Sequence, residues 1–285
     1  MKFLKKLACA AAVAMSVAGG ANAATVMNNW VFNPVGTGFS AGQTVNEYLD
    51  VNGNAFIQIN PTGGSSFSFT EHAVFNIVQA DSNGALFPVN YAGGNITAIF
   101  EATGTGNFSG AFTFTGGTIK MYQNPTNGQY GSTAGFYGAN LGNEIAVFNV
   151  MAGGGGLVDA SGSPTNNGQV SVFAQADAGA LDAGYFFREN GDDLSAESVM
   201  GFAFTNANTI GNPTRRLVDE VACQFAGYTG SGCNGTDYAN NPGNFFVSNN
   251  GQFKLAEVPE PGSLALFGIA MLGAGVMSRK RAKKA

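Results

Sequence analysis

The chain holds one histidine, His72, and 18 acidic residues. Any acid–base or nucleophilic chemistry must therefore run through that imidazole or through carboxylates. A Ser-His-Asp relay needs a carboxylate to orient the ring. Glu71 is adjacent, but neighbours on a strand point to opposite faces and cannot meet. No Gly-x-Ser-x-Gly elbow is present. His72 is expected to pair with a cross-strand neighbour on a sheet face. Glycosidases need only two carboxylates at suitable separation, and Glu47, Glu71, Glu101 and Glu144 all fall in strand-like segments. One tryptophan in the whole chain is thin provision for a sugar-stacking cleft. No catalytic residue is assigned, and the chain reads as a non-enzyme. The alternative is a secreted polysaccharide-active enzyme, a glycoside hydrolase or lyase.

Oxygen ligands are the next candidates. Asp50-Val-Asn52-Gly53-Asn54 and Asp81-Ser-Asn83-Gly84 have the spacing of calcium-loop oxygens. Ala55 and Pro61, however, stand where an EF-hand needs its glycine and glutamate, so both segments read first as turns. Glu189-Asn-Gly-Asp192-Asp193 is the better cation candidate. No cofactor is assigned, with calcium at Asp192 and Asp193 the weak exception. Cys223 and Cys233 span Gly-Tyr-Thr-Gly-Ser-Gly, and in an exported chain the pair reads as a disulfide closing a flexible loop. Tyr122, Tyr130, Tyr137 and Tyr228 lie in or near Gly-rich loops, where they could stack on sugar rings or cover sheet edges.

The elements that must position these residues are strands. The composition, 24 Phe and 42 Gly with much Thr and Asn, favours strands and turns over helices. Apolar–polar alternation predicts strands at 55–60 (ended by Pro61), 66–80 (bent near Glu71-His72), 95–103, 111–115, 118–122, 144–151, 169–175, 201–205 and 245–255. Gly116-Gly117 reads as a two-residue hairpin turn, and Asn249-Asn250-Gly251 as another turn. Residues 153–156 with 161–164 read as a loop or soft boundary. Short helices are expected over 192–200 and 214–225. The predicted fold is all-β, an antiparallel sandwich or jelly-roll-like body, with an N-terminal signal helix and a C-terminal transmembrane helix.

Both ends carry address information. Lys2, Lys5 and Lys6, the apolar run 7–18 and Ala21-Asn22-Ala23 form a signal peptide cleaved before Ala24. At the other end, Val258-Pro259-Glu260-Pro261 holds the backbone extended. Residues 262–278 carry no charge and reach the lower limit for crossing a ~30 Å hydrocarbon core. Arg279, Lys280, Arg281, Lys283 and Lys284 then form a basic stop-transfer cluster that stays cytoplasmic. Between the ends, residues 24–261 hold five basic residues against all 18 acids, a net charge of −13. That balance gives no footprint for nucleic acid.

The ordered Pro-Glu-Pro, apolar span and Arg-Lys-Arg resemble the PEP-CTERM sorting signal of Gram-negative bacteria, over about a tenth of the chain. The resemblance implies three domains: a signal peptide (1–23), a secreted β-rich domain (24–257) and a sorting tail (258–285). It also implies signal peptidase and an exosortase as processing partners, a transient inner-membrane intermediate, and exopolysaccharide as partner at the cell surface. The body is similar to the flocculation-associated subgroup in Trp30-Val-Phe-Asn-Pro, in Phe69-Thr-Glu-His-Ala-Val-Phe and in Gly116-Gly-Thr-Ile-Lys-Met-Tyr. That likeness implies a non-enzymatic matrix protein supporting floc or biofilm formation.

Overall fold

The computed structural model describes residues 25–82, 85–89, 95–124, 128–165 and 168–258. The chain divides into one compact unit, Val26–Ala256, and a second made of Met1–Thr25 with Glu257–Ala285. The signal peptide, its cleavage residues Ala21, Ala23 and Ala24, and the tail from Pro259 onward, with its expected membrane span and basic cluster, lie outside the described residues. Among the described residues no helix is long and apolar enough to cross a membrane.

The strands are β1 (Thr25–Val26), β2 (Trp30–Phe32), β3 (Gln43–Val45), β4 (Leu49–Gly63), β5 (Ser66–Ser82), β6 (Ala85–Pro88), β7 (Asn95–Asn107), β8 (Ala111–Asn124), β9 (Asn143–Val150), β10 (Gly153–Leu157), β11 (Gly168–Ala176), β12 (Phe186–Phe187), β13 (Val199–Ile210) and β14 (Asn244–Glu257). The body is all-β and antiparallel, as expected. It is not a two-sheet sandwich. Strands β4, β5, β7, β8, β9 with β10, β11, β13 and β14 follow one another around a single sheet, and β14 pairs back onto β4 from Asn244↔Gln58 to Phe253↔Leu49. Strands β9 and β10 share one position between β8 and β11. The result is a closed barrel with eight strand positions. Alternation fits barrel and sandwich equally, since either buries one face of each strand. The distinguishing pair joins the first long strand to the last.

Inside sit Leu49, Ala55, Ile57 and Ile59 of β4, with Phe67, Phe69, Ala73 and Ile77 of β5 and their neighbours around the sheet. One end is plugged by the three-stranded sheet β12-β2-β3. There Trp30 stacks on Phe186 with centroids 6.3 Å apart, and Phe32 meets Phe186 at 5.3 Å. Main-chain bonds tie plug to barrel: Met27 N donates to Leu255 O at 2.9 Å, and Asn46 N to Asp81 O at 2.7 Å.

Outside, residues 215–225 form a helical layer, an α-turn at Arg215–Leu217 continuing as a π-helix over Val218–Phe225. Leu217, Val218, Val221 and Ala222 cover the outward Phe56, Val74, Ile99 and Phe246. The expected Cys223–Cys233 disulfide closes the loop behind this layer, with Cα atoms 5.5 Å apart. The other expected helix shrinks to a 3-10 turn, Leu194–Ala196.

Several expected turns run straight. β8 passes through Gly116-Gly117, β14 through Asn249-Asn250-Gly251, and β4 through Asp50–Asn54 and on past Pro61. β5 keeps its register across Glu71 and His72, and Gly153–Leu157 is a strand rather than a loop. The Gly-Gly pair instead follows a bulge at Thr115, where the β7–β8 register shifts between Thr103 and Gly104. Gly117 has φ +146, and a Cβ there would lie 2.1 Å from Glu101 O. Only glycine fits.

Candidate functional site

The outer barrel face changes character at one level across four adjacent strands. Reading outward positions, β4 runs Asn52, Asn54, Phe56, and β14 runs Asn250, Ser248, Phe246, with Asn250↔Asn52, Ser248↔Asn54 and Phe246↔Phe56 in register. β5 contributes Asn76 and then Val74, and β13 contributes Asn206 and Asn208, then Ile210. The apolar half lies under the helical layer. The amide half is open and forms a groove of about 300 Å³, walled by Tyr130.

Asparagine is depleted in strands, so its repetition at outward positions of neighbouring strands runs against local preference. What it supplies is hydrogen bonding, since each amide carries two donors and an acceptor. Asn250 Nδ2 donates to Asn52 Oδ1. Asn54 Nδ2 donates to the Tyr130 hydroxyl at 3.1 Å, which in turn donates to Val74 O at 3.2 Å. Burial raises the Tyr130 pKa, keeping the phenol neutral. Asn76 Oδ1 is buried without a partner, and a buried acceptor left unmatched costs free energy that an incoming donor recovers. The groove carries no ionisable group other than that phenol. The five Lys and Arg side chains of the described body all pair with acids: Lys120–Glu144, Arg188–Glu197, Arg215–Asp219, Arg216–Glu220 and Lys254–Glu47.

The four carboxylates considered for glycosidase chemistry are dispersed rather than paired. Glu47 and Glu144 are held by lysines, and Glu101 lies 3.4 Å from His72 Nε2. Glu71 points into the barrel among the lining of its cavity. His72 thus has the cross-strand partner expected of it, and its ring meets Phe225 edge-on at 4.9 Å. Burial pulls its pKa down while Glu101 pushes it up. Asp193 is occupied as a cap: one oxygen accepts from Ser195 N and the other from Gly184 N, both at 2.8 Å. Asp192 accepts from Asn190 Nδ2 at 2.8 Å. Among the described residues no three His, Cys, Asp or Glu side chains gather as a metal-holding group. Asp81 also caps a turn, accepting from Glu47 N and Tyr48 N.

The tyrosines are less free than their loops implied. Tyr122, Tyr130, Tyr137 and Tyr228 all pack against the outer apolar cluster. Tyr122 donates to Glu144 at 3.3 Å, and burial, reinforced by that carboxylate, lifts its pKa to about 12. Tyr130 alone among them reaches the groove. Asn52, Asn54 and Asn250 read as turn residues in the sequence, because Asn-Gly is turn chemistry wherever a turn is allowed. The available signal was their i, i+2 spacing, Asn52/Asn54 and Asn206/Asn208.

Val258 is the last described residue, directly after β14. Residues 257–281 match the model of the PEP-CTERM protein-sorting motif. The chain carries a PEP-CTERM sorting signal. The match spans Val258 to Pro261, the uncharged run and Arg279 to Arg281, with Lys283 and Lys284 just beyond it. Such a signal means export to the cell envelope or surface and processing by an exosortase. No curated protein and no solved structure matches the chain.

Proposed function

We propose that this PEP-CTERM protein is a non-enzymatic matrix protein of a Gram-negative bacterium, supporting floc or biofilm formation by binding exopolysaccharide in its asparagine groove. The observation that carries the reading is the row of amides on four adjacent strands, with one acceptor already desolvated and unmatched. Vicinal sugar hydroxyls are donor–acceptor pairs of the kind an amide matches. An uncharged groove on a body, residues 24–257, of net charge −12 selects neutral or N-acetylated polymers, because a uronic acid chain would be repelled. Signal peptidase and exosortase processing, through a passing inner-membrane stage, delivers the body to that polymer.

The test uses a deletion strain complemented with the wild-type chain or with Asn52→Ala/Asn250→Ala. Losing two amides should weaken binding of the secreted protein to the strain's purified neutral polymer by about tenfold or more. Culture settling should fall with it. Equal binding by both proteins removes the groove from the function. Cleavage of the polymer, seen as lost viscosity, would favour an enzyme instead.

A further inference from the structure

The barrel is not filled to its axis. A cavity of about 80 Å³ remains inside, lined by Val51, Ile57, Phe69, Ile77, Phe100 and Val247 among other apolar side chains. Three polar side chains break this lining, Thr205, Glu71 and Asn249, and two of them are more than nine-tenths buried: Glu71 at 8% exposure and Asn249 at 7%. Neither of these two forms a side-chain hydrogen bond or ion pair with the protein. They sit on strands adjacent to β4, opposite Ile57 and Gly53. Gly53 has room only for hydrogen, since a Cβ would meet the Phe75 ring at 2.3 Å.

We infer that the barrel interior binds a small apolar molecule carrying one hydrogen-bonding head group, with the tail in the apolar cavity and the head at Glu71. A pocket of apolar walls with a few convergent polar groups is the usual form of a small-molecule site. Eight strands give an interior just wide enough for one such ligand. Simple packing does not account for the two buried polar groups, because an unpaired carboxyl and amide inside a closed barrel destabilise it. Burial pushes Glu71 up to about 7, so near neutrality it can either donate as the acid or accept as the carboxylate. An amine or an alcohol head would each be served. The volume sets the size. It is about half that of an engineered cavity that takes benzene, which leaves room for a tail of about three or four carbons.

Entry has a candidate route away from the plugged end. Val158, Gly162 and Pro164 line the cavity from the loop at 158–164. That loop is held by Asp159, which accepts from Ser161 N at 2.8 Å and Ser163 N at 3.1 Å. At Gly162 (φ +82) a Cβ would stand 2.4 Å from Ile59 Cδ1, so the loop rests directly on the barrel rim.

The test is methyl NMR on the secreted protein, titrated with 1-butanol and separately with n-butylamine up to about 10 mM, a range covering millimolar affinity. The expected result is saturable shifts at Ile57, Ile59, Ile77 and Val247, with Leu217, Val218 and Val221 of the outer layer unmoved. Glu71→Gln should weaken the amine by about tenfold or more, and Glu71→Met, which fills the space, should abolish binding of both probes. Binding of the alcohol alone supports the site with the acid form as donor, and binding of the amine alone with the carboxylate. Absence of saturable shifts with both probes, equal shifts at the outer methyls, or binding indifferent to both variants overturns the inference.

Discussion

At the scale of single residues, Glu71 ties stability to pH. No other ionisable group lines the cavity among the described residues. Its folded pKa of about 7 stands above the ordinary 4.5, so the folded state holds a proton that the unfolded chain has released. Stability from this group is therefore full below about pH 4.5, falls as pH rises to about 7, and is flat beyond. The loss is on the order of 3 kcal/mol. Glu71→Gln should match the wild type in thermal unfolding near pH 4 and exceed it by several degrees at pH 8. A gap that does not change with pH would mean the carboxyl is solvated in the fold. Little of this was legible in the sequence. Glu71 was visible as a strand residue beside His72, and the pairing of His72 across the sheet was foreseeable. Which of the two faced a cavity was not, because alternation places neighbours on opposite faces without saying which face is inside.

At the scale of elements, the strands were legible and their ends were not. Alternation located β5, β7, β9, β11 and β13 within a few residues, since burying one face imposes a period of two whatever the final architecture. It failed where glycine and asparagine sat in mid-strand. Gly116-Gly117 and Asn249-Asn250-Gly251 have turn chemistry, yet continuous pairing on both sides keeps them extended, and tertiary context overrides local preference. The positive φ of Gly117, two residues past the bulge at Thr115, is testable. Alanine there meets Glu101 O at 2.1 Å and Ala102 Cα at 2.7 Å, at a φ that side chains avoid. Gly117→Ala should cost about 2 kcal/mol or more, lowering the melting temperature by about 4–8 °C. Gly116→Ala, with open space around its Cβ, should be close to neutral. Equal effects from the two would show that Gly117 does not need its positive φ or its close approach to Glu101 O.

At the scale of the whole molecule, the address was legible and the closure was not. Pro-Glu-Pro, an uncharged run and a basic end form a contiguous pattern, and the motif match covers it. Barrel closure depends on strands from opposite ends of the body, which no local pattern reports. Intact mass of the protein recovered from the medium should lack Arg279 to Lys284, as exosortase processing requires. Retention of those residues in a membrane fraction would mean permanent anchoring instead. The β4–β14 seam also orders events in time. Synthesis delivers β14 last among the strands, so until then β4 and β13 each present an unsatisfied backbone edge, the kind of surface on which chains aggregate. The same stretch of chain that ends this exposure is followed at once by Val258 and the sorting motif. The chain thus completes its seam only when the address itself is emerging, and a molecule truncated before β14 loses its sorting signal along with its closed shape.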